Sequence, residues 1–351
     1  DIPYTRKVID TLSSPYMFGR GYVKQGDKKA ASYIANEFKK IGLQSYTENY
    51  FQLLSYPVNT FPAEPIVSVN EKKLNFYVDF IAAAKSISCE GKFEVVYFNL
   101  DIFIDQNKFI EFSNTDFSNK FILIDYLNVK GKDTLAVFDA IRGNIKKAKG
   151  IITVDDKLTF SVSTKKTNYA ALVFKRKVLE EKIKTIEVNI KTEFVEEYQT
   201  QNVVAYWKNP CNADSFIVYT AHYDHLGGIG DNVYIPGAND NACGISMLFN
   251  LAKYYKQTKT IPSKYSAIFV AFTGEEAVLR GSSFFVENPP VPLNKIKLVL
   301  NFDVMGTGED GITLVNGAVI KDLFSMFDTI NQQKKYFPVI KVEIEQKEKK
   351  S

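Results

Sequence analysis

Histidine is nearly absent from this chain: 351 residues contain two, at positions 222 and 225. Cysteine is equally sparse. Cys89, Cys211 and Cys243 are too few and too odd in number for a disulfide framework. No two of them have Cys-x-x-Cys spacing, which argues against a thiolate zinc site. No stretch reaches the roughly 18 apolar residues of a membrane span. Charge is balanced, 44 basic against 40 acidic residues, for a net +4. A nucleic-acid binder concentrates its basic excess in one patch, and here only the Lys-rich tail at 347–350 resembles one. There are five arginines, Arg6, Arg20, Arg142, Arg176 and Arg280. There is no internal repeat and no low-complexity linker. With 45% hydrophobic and 24% charged residues, the composition is that of an ordinary globular protein. The length allows one large domain or two to three smaller ones.

Three textures follow one another. In residues 1–65, Ala30, Ile34, Phe38 and Ile41 recur at helical spacing after Asp27, a fair N-cap, and Gly42 ends the run. From 66 to 192 short β-rich runs appear at 93–98, 121–125, 151–154 and 170–174, with one helix predicted near 134–149. No His or acidic cluster there has ligand spacing, so a structural or substrate-gating insert is the plain reading. From 193 to 351 strands alternate with helices. Strands are predicted at 202–207, 215–221, 265–272, 296–302 and 312–316, and helices at 243–256, 281–287 and 318–332. The fold class is therefore α/β, a mostly parallel central sheet with helices on both faces and a β-rich inserted domain. Ligand sites in such sheets lie at the carboxyl ends of the strands.

Four short segments sit at those ends: Ala-His-Tyr-Asp-His at 221–225, Gly-Ala-Asn-Asp-Asn-Ala-Cys-Gly at 237–244, Thr-Gly-Glu-Glu at 273–276 and Asn-Phe-Asp at 301–303. Each follows or borders an apolar run, and imidazole mixed with carboxylates suits Zn²⁺. A lone His222 after an apolar strand is more often a satisfied core residue, but Asp224 two positions on can orient its imidazole. His225 is assigned a structural or substrate-side role, because neighbouring strand residues point to opposite faces. Asn239, Asp240 and Asn241 alone would mean a turn. Their place between the His segment and a helix makes Asp240 a metal ligand. Glu275 and Glu276 are adjacent acids at the end of a buried strand, where a cation is needed to neutralise them. One can bind metal while the other acts as general base. Asp303 is either the first polar loop residue after its strand or a terminal ligand, and the upstream segments favour the ligand.

This ordered set resembles the di-zinc aminopeptidases, a superfamily that also contains glutamate carboxypeptidases and single-zinc glutaminyl cyclases. The resemblance covers roughly 200–330. Phe18-Gly-Arg-Gly21 before an amphipathic helix resembles the N-terminal part of secreted members, and 66–192 resembles their protease-associated insert. Carried over by position, it makes His222 and Asp303 ligands of a first zinc and Asp240 the bridging carboxylate. Glu276 becomes a ligand of a second zinc, Glu275 the general base and Asp224 the partner of His222. It implies a cis peptide between Asp240 and Asn241, peptide substrates and an extracytoplasmic location, with which a start at Asp1 rather than Met is compatible.

One departure stands out. The family's last zinc ligand is a His downstream of the position of Asp303, and this chain has none there. Two zinc ions are expected, with the second site incomplete in this chain. The expectation is truncation at the C-terminus, because every upstream position is intact. The leading reading is an aminopeptidase. A carboxypeptidase or glutaminyl cyclase of the same fold, or a non-catalytic peptide-binding scaffold, are the alternatives.

Overall fold

The apolar runs that precede three of the four segments, at 216–222, 266–272 and 296–301, lie in one mixed sheet. The computed structural model describes residues 1–211, 213–258 and 264–343, and the Lys-rich tail at 347–350 lies outside them. The strand order is Gln44–Ser45, Glu193–Trp207, Ser266–Phe272, Phe216–His222 and Ile296–Asn301, with Phe51–Thr60 also paired to Glu193–Trp207. Phe216–His222 lies between Ser266–Phe272 and Ile296–Asn301 and is parallel to both. The other pairings are antiparallel, so the parallel character expected of the whole sheet belongs to three strands. Apolar runs of this kind state that a strand is buried but not which way its neighbour runs. The three parallel strands are the ones whose carboxyl ends carry His222, the Glu275–Glu276 pair and Asp303, so these residues emerge on one rim.

Alternation along the strands supplies two cores. Val203, Ala205, Tyr219, Ala221, Phe269 and Ala271 face one side. There they pack against helices Ile2–Leu12, Gly26–Ile41 and Cys243–Gln257. Val204, Val218, Ile268 and Val270 face the other side and meet Phe285 of helix Arg280–Glu287. In Gly26–Ile41, Ala30, Ile34 and Phe38 are fully buried as their spacing dictates, and Phe38 meets Phe249 edge-on at 5.3 Å. Fully burying one such side chain stabilises the fold by roughly 1.5–3 kcal/mol. Gly42, at φ 86°, ends the helix in the left-handed conformation that glycine adopts without strain. Asp27 is not the N-cap. It lies inside the first turn with its carboxylate fully buried. It accepts hydrogen bonds from the Tyr198 hydroxyl at 2.7 Å and the Thr200 hydroxyl at 2.9 Å.

A second, eight-stranded sheet is built from strands between Ile66 and Ile190. It includes Cys89–Phe98, Lys120–Ile124, Gly150–Asp155 and Ala170–Lys175, which pair in parallel in that order. The helix predicted near 134–149 spans Lys132–Arg142 and stops at Gly143. Strands Phe51–Thr60 and Glu193–Trp207 run antiparallel as a ribbon that leads into and out of this sheet. A second connection comes from the other side. Between His225 and Asp240 the chain makes a short hairpin, Gly228–Ile229 with Val233–Tyr234. Ile229 is buried in the apolar core of the second sheet, and Leu226, Val233 and Ile235 pack against it. The three cysteines are free.

Candidate metal centre

The strand Phe216–His222 ends at His222, whose ring is almost fully buried. Its Nε2 lies 3.1 Å from Asp240 Oδ1 and 3.3 Å from Asp303 Oδ1. These three residues form one compact group of potential ligand atoms. Asp240 enters from the irregular turn Ala238–Ala242, where its peptide bond to Asn241 is cis. Asp303 follows strand Ile296–Asn301. Burial alone would lower the His222 pKa, but the surrounding Asp224, Asp240 and Asp303 carboxylates outweigh it and push the pKa up to about 12. The His222 contact, against the opposing push of burial, holds Asp240 below the usual carboxylate range. The pocket thus stabilises positive charge strongly, and its imidazole-and-carboxylate donor set fits a zinc ion.

A second group shares Asp240. His225 Nδ1 lies 2.7 Å from Glu276 Oε1 and 3.9 Å from Asp240 Oδ2, and the three residues also form a potential ligand set. The strand-alternation argument that set His225 aside does not reach it, because the strand has already ended at His222. The second group therefore contains an imidazole of its own.

Asp224 is fully buried, and it does more than face His222. Its carboxylate stands 3.7 Å from His222 Nδ1, too far for a hydrogen bond. The carbonyl of Asp224 approaches that nitrogen at 3.1 Å instead. The carboxylate accepts the Glu275 N–H at 3.1 Å and the Glu276 N–H at 3.3 Å. One buried acid thereby fixes the backbone of both acids. The loop after them is closed by Leu279 N–H to Glu275 O at 3.0 Å and Arg280 N–H to Gly274 O at 2.8 Å. Glu275 itself is half-buried. That burial raises its pKa above the usual carboxylate value; His222 opposes the shift and Asp224 and Glu276 add to it.

The two asparagines around Asp240 are structural fasteners that turn chemistry did not disclose. Asn239 Oδ1 accepts from Gly306 N–H at 2.7 Å, and Asn241 donates to Phe302 O at 2.9 Å. The Cys243 sulfur accepts from Met305 N–H at 3.0 Å. These bonds tie the Asp240 turn to the segment carrying Asp303.

Residues 202–347 match the family model described as Peptidase family M28. Over that segment the chain is similar to peptidase family M28. The seven residues His222, Asp224, His225, Asp240, Glu275, Glu276 and Asp303 all lie within the matched segment. Similar proteins include Aminopeptidase YwaD of Bacillus subtilis, 29% identical over 167 residues, which are 46% of this chain and 35% of the relative. Leucine aminopeptidase 2 of Arthroderma otae is 32% identical over 141 residues, 40% of this chain and 25% of the relative. The chain thus spans about a third or less of the length of these curated relatives. Among solved structures, a zinc aminopeptidase from Bacillus subtilis superposes with a TM-score of 0.67 at 20% identity, covering 97% of this chain and 79% of that one. An aminopeptidase from Aneurinibacillus sp. strain AM-1 gives 0.63 at 20% identity, covering 98% and 80%. At that identity the likeness establishes the aminopeptidase-type fold.

Proposed function

We propose that this chain is a zinc-dependent exopeptidase that removes N-terminal residues from peptides. The observation that carries the reading is the pair of ligand groups sharing Asp240, with a half-buried acid, Glu275, held beside them by Asp224. His222, Asp240 and Asp303 would hold one zinc ion, and Asp240, Glu276 and His225 a second. Bound zinc supplies Lewis acidity toward the scissile carbonyl and makes water a stronger acid. Glu275 accepts a proton from the attacking water and delivers it to the departing amine as the C–N bond breaks. Its raised pKa brings it closer to the working range of a general base at neutral pH. Asp224 keeps Glu275 and Glu276 in separate roles by fixing their adjacent amides.

Arginine placement favours an aminopeptidase over a carboxypeptidase, which needs a cation for the substrate carboxylate. Arg20 is fully buried and bonded to backbone carbonyls. Arg176 pairs with Asp125 in the second sheet, and Arg142 with Asp139. Arg280 reaches Thr164, and Arg6 lies on the N-terminal helix. In this reading residues 1–65 and 193–351 form the peptidase unit and 66–192 an insert of the protease-associated type. No helix among the described residues is long and apolar enough to cross a membrane. A secreted or periplasmic working place belongs to the same reading and rests on the family resemblance.

Glu275→Gln tests the assignment. Zinc content should stay near that of the parent, and kcat on an aminoacyl anilide should fall about 10²–10⁴-fold. Near-normal turnover would remove Glu275 from the mechanism.

A further inference from the structure

Arg20 has 0% exposure and lies far along the chain from every residue of the metal centre. Its guanidinium carries five N–H donors, and five backbone carbonyls receive them. Nε donates to Tyr223 O at 2.7 Å. Nη1 donates to Leu12 O at 2.9 Å and Pro236 O at 2.7 Å. Nη2 donates to Gly237 O at 2.7 Å and Asp240 O at 3.1 Å. Tyr223 sits between His222 and Asp224, and the other three site acceptors belong to the turn that delivers Asp240. The backbone repeats the connection: Gly227 N–H donates to Gly19 O at 3.1 Å and His225 N–H to Arg20 O at 3.4 Å. Gly237 is required for this approach. It has φ +62°, and a Cβ there would lie 2.5 Å from Arg20 Nη2 and 2.4 Å from His225 Cδ2.

A buried cation is ordinarily paired with a carboxylate. This one is spent on carbonyls of two separate ligand-bearing segments, and its charge lies in the field of Asp224, Asp240 and Glu276. We propose that Arg20 is a positioning residue of the metal centre: it presets the spacing between the His222 strand end and the Asp240 turn before any metal arrives. Lysine cannot replace it, because an ammonium has three donors without the planar fork. The inference rests on the reading of His222, Asp240 and Asp303 as zinc ligands.

The test compares zinc affinity, by competition with a chromophoric chelator, in the parent chain and Arg20→Lys. Loss of an outer partner of metal ligands typically weakens binding about 10–100-fold, and that loss is expected with far-UV circular dichroism unchanged. A folded Arg20→Lys protein with parental zinc affinity overturns the proposal. If that variant does not fold, amide exchange on the parent decides. The Gly227, Ile235 and Ala242 amides, which bond within or onto the clamped segments, should be as protected in metal-free protein as with zinc. Protection that appears only with zinc overturns the preset frame. A parent chain that binds no zinc would instead refute the metal-centre reading itself.

Discussion

Asp27 offers a quantitative test of how the N-terminal helix is seated on the sheet. Its carboxylate is fully buried, and burial pushes its pKa from 3.8 up to about 6 despite hydrogen bonds from Tyr198, Thr200 and the Lys28 amide. A raised carboxylate pKa means that the folded state prefers the neutral acid. Below about pH 4 the folded and unfolded chains both bind the proton, and the group makes no difference to stability. Between about 4 and 6 only the folded chain keeps it, so stability falls as pH rises. Above about 6 the folded chain carries the whole burden of a buried charge. The interval from 3.8 to about 6 corresponds to about 3 kcal/mol, at 1.36 kcal/mol for each pH unit. Asp27→Asn has nearly the same shape and does not titrate. Denaturant unfolding of metal-free parent and variant across this window should show the parent losing about 3 kcal/mol relative to the variant. A difference that stays constant with pH would refute the argument and mean that the two hydroxyls and the amide fully compensate the buried charge.

The adjacent acids should separate in metal content. Glu276→Ala should lose zinc by elemental analysis and Glu275→Ala should not, and equal loss would end the division of labour between them. His225→Ala should weaken the ion held through Asp240, Glu276 and His225 while the ion bound through His222, Asp240 and Asp303 stays, read as one of two chelator-competition phases shifting. Two unchanged affinities would leave His225 only as the hydrogen-bond partner that orients Glu276.

The rim was legible because each of its members follows an apolar run, and burial of the run fixes where the polar residue emerges. The structure brings His222 and Asp303 together from strand ends, with Asp240 joining them from an irregular turn. His225 was given a structural or substrate-side role from alternation of faces, which holds only inside a strand, and in the structure it lies beside Glu276 at 2.7 Å. Asp27 was misread for a related reason. An acid at the start of a helix looks the same in sequence whether it caps the helix or is buried beside a tyrosine and a threonine from a distant strand. Arg20 carried no local signal at all. Four of its five acceptors lie more than 200 positions away, and carbonyls leave no mark in the residue alphabet. The pairing direction of Glu193–Trp207 is likewise set by its partners rather than by its own pattern.

The hairpin between His225 and Asp240 bears on how this molecule can be taken apart. Ile229, backed by Leu226, Val233 and Ile235, is lodged in the second sheet, so the chain that joins His225 to Asp240 is anchored there. Excising the second sheet would strip these side chains of cover between His225 and Asp240. The natural unit for transplantation is therefore the second sheet together with the hairpin, and a chimera that exchanges one must exchange the other.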